Sequence, residues 1–185
     1  MHDVTTDEVM RAFLERMRAD LTPHNVLRGA WVEQIVAAFL GIRDFPAPWS
    51  YFDLRDSSGR RISVKHSVGD KARFSVTGSR WAWDESLAAE RRRIDKKAEV
   101  WLDNEDGTSK RWCDVYVYAH LPEPLTPERV ENVDAWRFAV IPLTTLEALP
   151  ESTRTVGLAR IEQIGVTWVP GDALGRAIEA VCPRK

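Results

Sequence analysis

The sequence predicts an α/β protein, a mixed β-sheet flanked by helices in a single domain, and three observations carry that prediction. "YFDLRDSSGRRISVKHS" reads as two strands joined by a turn, an antiparallel hairpin. "DESLAAERRRIDKKAEV" follows with helical character, long enough to return the chain for a parallel strand. "CDVYVYAHL" and "WRFAVIP" then carry the β-branched and aromatic residues of central strands. A hairpin and a helical crossover in one sheet make it mixed rather than wholly parallel. The 185 residues suit one domain with a substantial core, and 44% hydrophobic with 29% charged residues argues against disorder.

Taken in order, residues 5–20 are expected to be helical, with Thr6 as a cap and Val9, Phe13, Met17 and Leu21 at helical spacing. "TPHN" interrupts. "NVLRGAWVEQIVAAFLG" begins with an asparagine cap, with His24 just before it as another candidate, and ends on Gly41, a stop signal. It is apolar almost all round, so a buried helix is expected. "FPAPWS" is a stiff connector. Strands are expected over 49–55 and 61–67 around "DSSG", and a third over 72–78. A helix capped by Asp84 should cover 84–100, and "LDNEDGTSKR" reads as a polar turn. Strands 113–121 and 136–142 flank a proline-rich loop with one helical turn. "TTLEALPE" is a short helix, 155–170 holds one or two short strands, and "GDALGRAIEAV" closes the chain as a helix.

Strand side chains alternate faces. Trp49, Tyr51, Asp53 and Arg55 would share one face, and Arg61, Ser63, Lys65 and Ser67 another, with Ile62, Val64 and His66 opposite. If the turn sets Asp53 across from Ser63, then Asp53, Ser63 and Lys65 converge; a slip of one residue would put Asp53 with Ile62 and dissolve the group. On the preceding helix, Val26, Ala30, Glu33, Ala37 and Leu40 fall in one stripe. Glu33 is then a carboxylate on an apolar face. It needs a cation, hydrogen bonds or a raised pKa.

A helix bearing a glutamate, a strand bearing an aspartate, a turn and a strand reading x-V-K resembles the PD-(D/E)XK nuclease superfamily. "ISVKHS", "CDVYVYAHL" and "WRFAVIP" are similar to the E-V-K-S, D-V-Y-V and W-x-F-x-V-x-P runs of its small stand-alone members. The likeness spans about residues 25–142 in order and spacing. It implies a restriction-endonuclease-like fold and a Mg²⁺- or Mn²⁺-dependent DNA endonuclease working in restriction, repair or defence against foreign DNA. It also implies roles. Asp53 and Glu33 hold the metal, Val64 adds its carbonyl, and Lys65 positions the attacking water. Such enzymes pair to cut both strands, so a homodimer is expected.

The departure is Ser63, where the pattern has Asp or Glu. A hydroxyl is a poorer Mg²⁺ ligand than a carboxylate. Either Glu33 takes over the missing charge, or the chain is an impaired relative that binds DNA or a partner nuclease.

The net charge of -2 gives no global attraction to nucleic acid, so a local patch must supply it. Between 60 and 80, Arg60, Arg61, Lys65, Lys71, Arg73 and Arg80 face Asp70 alone, and Trp81 and Trp83 follow. Those cations suit a phosphate backbone. "ERRRIDKK" reads more simply as a solvated helix face. Asp114 reads as a structural acceptor and His66 as packed. Cys113 and Cys182 show no metal-ligand spacing and suit reduced thiols of a cytoplasmic protein. There is no membrane-spanning run, and no Walker, dinucleotide or serine-hydrolase motif.

Overall fold

The strands richest in β-branched and aromatic residues form the centre of the sheet. The computed structural model describes residues 6–43, 45, 46, 52–76, 102, 103, 109, 110, 113–149, 153 and 155–183. Two helices, α1 (Thr6–Asp20) and α2 (Asn25–Leu40), precede strands β1 (Leu54–Arg55), β2 (Arg61–Val68) and β3 (Arg73–Ser75). Short strands β4 (Leu102–Asp103) and β5 (Ser109–Lys110) lead to β6 (Val115–Leu121), α3 (Pro127–Glu131), β7 (Arg137–Pro142) and α4 (Leu143–Glu147). The chain ends with β8 (Thr155–Gly157), α5 (Leu158–Gln163), β9 (Trp168–Val169) and α6 (Leu174–Val181).

Five strands form one sheet in the order β1-β2-β6-β7-β9, with β2 and β6 parallel and the other pairs antiparallel. The sheet is mixed, as the hairpin and crossover require. β3 pairs with β8, and β4 with β5, as separate two-stranded ribbons. Every residue of β6 is buried, as befits a central strand covered on both faces. Its Val115, Val117 and Ala119 join Ile62, Val64 and Phe138 against Val32, Ile35 and Val36 of α2 and Ile178 of α6. Tyr116 and Tyr118 point the other way, to Phe74, Ile141, Val156 and Ile161.

Several elements depart from expectation. α1 carries its apolar stripe outward: Val9, Met10, Phe13 and Leu14 are each more than half exposed, while Arg18 ties the helix to Glu131. In α2, Val26, Ala30, Gln34 and Ala38 are exposed, so the burial expected all round is confined to Arg28, Val32, Ile35, Val36 and Ala37. His24, not Asn25, occupies the cap position of α2 and makes no side-chain capping bond. Asn25 Oδ1 accepts from Arg28 instead. Gly41, at φ +66, closes α2 as expected. The first hairpin strand is described only as Leu54–Arg55, with Asp53 in the bend before it. The polar turn at 102–111 holds the β4–β5 pair. Within 155–170, α5 forms because Leu158 and Ile161 lie one turn apart and Ile161 is fully buried. The expected helix 84–100, and Trp49, Tyr51, Arg80, Trp81 and Trp83, lie outside the described residues. No disulfide joins Cys113 and Cys182. No helix among the described residues is long and apolar enough to cross a membrane.

Candidate active site

The position of Asp53 follows from the turn after it. Asp56 Oδ1 accepts hydrogen bonds from Ser58 N–H at 2.9 Å, Ser58 Oγ at 2.7 Å and Arg60 N–H at 3.0 Å. Burial pulls the Asp56 pKa up, but these bonds and the one from the Arg60 side chain outweigh it and hold the carboxyl below its ordinary value. Gly59 sits at φ +85, a conformation in which a side chain is strained. The connection 56–60 thus returns the chain with Arg55 opposite Arg61 and Leu54 opposite Ile62. Just before β1, Asp53 N–H donates to the Ile62 carbonyl at 2.9 Å and its side chain reaches Ser63.

Asp53 Oδ2 gathers three donors: Val64 N–H at 2.6 Å, Ser63 Oγ at 3.1 Å and Lys65 Nζ at 3.4 Å. β1 is only two residues long, so it stops short of Val64. The Asp53 carboxylate takes the backbone donor that a longer β1 would have used. A strand residue turns its N–H and C=O to the same side, so the Val64 carbonyl faces this edge as well. Ser63 is buried, whereas the Asp53 and Lys65 side chains keep 15% and 19% of their surface in solvent. The pair is therefore open to a ligand.

Glu33 arrives from the other layer. Its helix α2 packs on the Ile62 and Val64 face of β2, and Glu33 itself is half-buried. Burial is the main cause that pushes its pKa up to about 7; the Asp53 charge adds to the rise and Lys65 opposes it. The structure thus brings Asp53, Ser63, Val64 and Lys65 within hydrogen-bonding distance and sets Glu33 within electrostatic reach. Among the described residues, no group of three or more His, Cys, Asp or Glu side chains is arranged to hold a metal. The site offers two carboxylates and a carbonyl; a third carboxylate would stand where Ser63 is.

No protein-family model matches the chain, and no curated protein matches it. The chemistry must be read from the side chains themselves.

The basic patch divides. Arg60 is only 11% exposed and donates to Asp56, to Glu179 of α6 and to the Cys182 carbonyl. Arg61 makes a two-pronged pair with Asp114, at 3.1 and 2.8 Å, at the start of β6. Both arginines therefore brace the fold; only the Asp56–Arg60 pair within the turn is local in the sequence. Lys71 and Arg73 are exposed, and Arg80 lies outside the described residues. Asp114 is the structural acceptor it was expected to be. His66 packs against α2 at Gly29, and burial, then Arg28 and Lys65, lower its pKa to about 4.

A cleft of about 730 Å³ lies between the end of α2 and the base of the hairpin, lined by Leu40, Ile42, Arg43, Phe45, Phe52 and Arg55, among others. No motif in the sequence points to it. The only local hint is that Phe52 and Arg55 flank Asp53.

Proposed function

We propose that this protein is a divalent-metal-dependent endonuclease of the PD-(D/E)XK type that hydrolyses phosphodiester bonds in DNA, in restriction, repair or defence. The observation that carries this reading is the hydrogen-bonded Asp53–Lys65 pair at an open strand edge beside Val64, with the charges of both groups felt at Glu33. The Asp53 charge adds to the rise in the Glu33 pKa, after burial. Oxygen donors of this kind suit Mg²⁺ or Mn²⁺, so Glu33, Asp53 and the Val64 carbonyl would hold the ion. When bound, it supplies charge stabilisation and a more acidic water. Lys65 Nζ, fixed against Asp53, orients the attacking water and offsets the negative charge growing on the phosphoryl oxygens. Lys71 and Arg73 hold the strand by its phosphates. Cutting both strands with one site per chain calls for a homodimer, and the setting is the cytoplasm.

The test is nicking or linearisation of supercoiled plasmid in Mg²⁺ and in Mn²⁺. Lys65→Ala should lose about a hundredfold or more of the rate. A monomeric mass by light scattering would remove the pairing.

A second reading rests on Asp53 Oδ2, whose three protein donors satisfy it without any ion. With Ser63 in the acid position, the chain would be a DNA-binding or nuclease-partner scaffold that has lost catalysis. Salt-sensitive DNA binding with no cleavage in either metal would favour it.

A further inference from the structure

We propose that the cleft at the end of α2 receives an unpaired nucleotide of the bound DNA, so that the preferred substrate has single-stranded character: a flap, an end or an opened stretch. This rests on the nuclease reading and adds the form of DNA that the site takes. The cleft is about 730 Å³, within the range of pockets that enclose a small ligand. Its lining combines two aromatic rings, Phe45 and Phe52, with two arginines, Arg43 and Arg55.

The Arg55 guanidinium lies 4.9 Å over the centre of the Phe52 ring. A guanidinium held on an aromatic ring is a platform for a base, because every base has a π-face. Phe45 is 41% exposed at the cleft; a stacked base would cover it.

The charge balance also points to a nucleotide. The acid in the lining, Asp56, is already engaged by Ser58 and Arg60. Among the described residues, neither Arg43 nor Arg55 has a carboxylate partner, and both side chains are exposed. They are available to a phosphate. Phe52 directly precedes Asp53, and Arg55 follows two residues later, so the cleft and the proposed metal ligand share one short stretch of chain. A base within a duplex is stacked on both sides and cannot enter such a cleft without unpairing.

The test uses the full chain in EDTA, so that binding is measured without cleavage. Anisotropy follows a labelled single strand and the matching duplex, and 2-aminopurine placed in the single strand reports stacking. Wild type should bind the single strand and quench the 2-aminopurine. Phe45→Ala and Arg55→Gln should each weaken single-strand binding about tenfold and relieve the quench, with duplex binding unchanged. Circular dichroism confirms that both variants are folded; should one fail to fold, the other carries the test.

Quench that survives both substitutions, or equal losses on single strand and duplex, overturns the proposal. Plasmid cleavage measured in parallel separates the two ideas. A protein that cuts duplex DNA without any quench keeps the nuclease reading and sinks the cleft. One that quenches but never cuts in Mg²⁺ or Mn²⁺ keeps the cleft and sinks catalysis. A protein that binds neither form of DNA sinks both.

Discussion

Replacing Glu33 by glutamine should stabilise the protein at alkaline pH while removing a proposed metal ligand. The carboxyl titrates near 4.5 when freely solvated and at about 7 in the folded chain. Below pH 4.5 both states hold the proton, and the group costs nothing. As the pH rises toward 7, the folded state must keep a proton that the unfolded state releases, so stability falls. Above 7 the whole penalty applies. A change from 4.5 to 7 corresponds to about 3 kcal/mol at 1.36 kcal/mol per pH unit, and because Glu33 is only half-buried, solvent screening reduces this to about 1–2 kcal/mol. Glu33→Gln keeps the shape and removes the charge. Urea unfolding followed by far-UV circular dichroism should show it more stable than wild type by about that amount at pH 8, and equal to it at pH 4. Mg²⁺ at pH 8 should close the gap by stabilising wild type alone, since binding to the folded state is a stability term. A variant no more stable than wild type at pH 8, or one with the same gain at pH 4, would refute the idea that Glu33 bears a buried charge.

Three further outcomes follow from the same geometry. Ser63→Asp puts a second carboxylate in a buried position beside Asp53; it should cost about 2–4 kcal/mol without metal, and Mn²⁺ should raise its melting midpoint more than that of wild type. Arg60→Ala removes charged hydrogen bonds to Asp56 and Glu179 and should cost about 2–4 kcal/mol in urea unfolding. Its salt dependence of DNA binding should match wild type, whereas Arg73→Ala should lower the slope by about one phosphate contact. Gly171→Ala would drive a methyl into the Phe39 ring, which is backed edge-on by Phe138 at 6.0 Å; overpacking of this kind costs about 1–3 kcal/mol, read from the same unfolding curves.

How much of this was legible in the sequence differs from residue to residue. β6 and β7 were readable because their apolar runs serve two covered faces. The register of Asp53 and Ser63 was readable because an odd-length connection built on Asp56 and Gly59 leaves one ladder consistent with Ile62 facing the core. The burial of α2 was not, because an all-apolar helix does not reveal which part is covered; Val26 and Ala30 are exposed, and Glu33 is half-buried. Arg60 looked like a phosphate ligand because its partner Glu179 lies 119 residues away, beyond the reach of any local pattern. α5 is six residues long, too short for helical and strand periods to separate. The cleft assembles from the end of one helix and the base of a hairpin, and its aromatic and arginine residues form no run.

Ser63 decides what kind of site this is, and its effect can be followed through charge and hydrogen bonds. With an acid at that position, Asp53 would face a like charge, and the pair would require a cation. With serine, Asp53 receives a neutral donor at 3.1 Å, and its Oδ2 is satisfied by Ser63, Val64 and Lys65 together. An ion arriving at Oδ2 must compete with those donors, so its binding gains less than it would at a bare carboxylate pair. What remains to attract it is the combined charge of Asp53 and Glu33, which rises as Glu33 loses its proton. Metal affinity should therefore climb between pH 6 and 8, the range in which Glu33 ionises. Calorimetric titration of Mn²⁺ at the two ends of that range checks this. An affinity independent of pH would mean that Glu33 is not a ligand and that serine has left Asp53 to act alone.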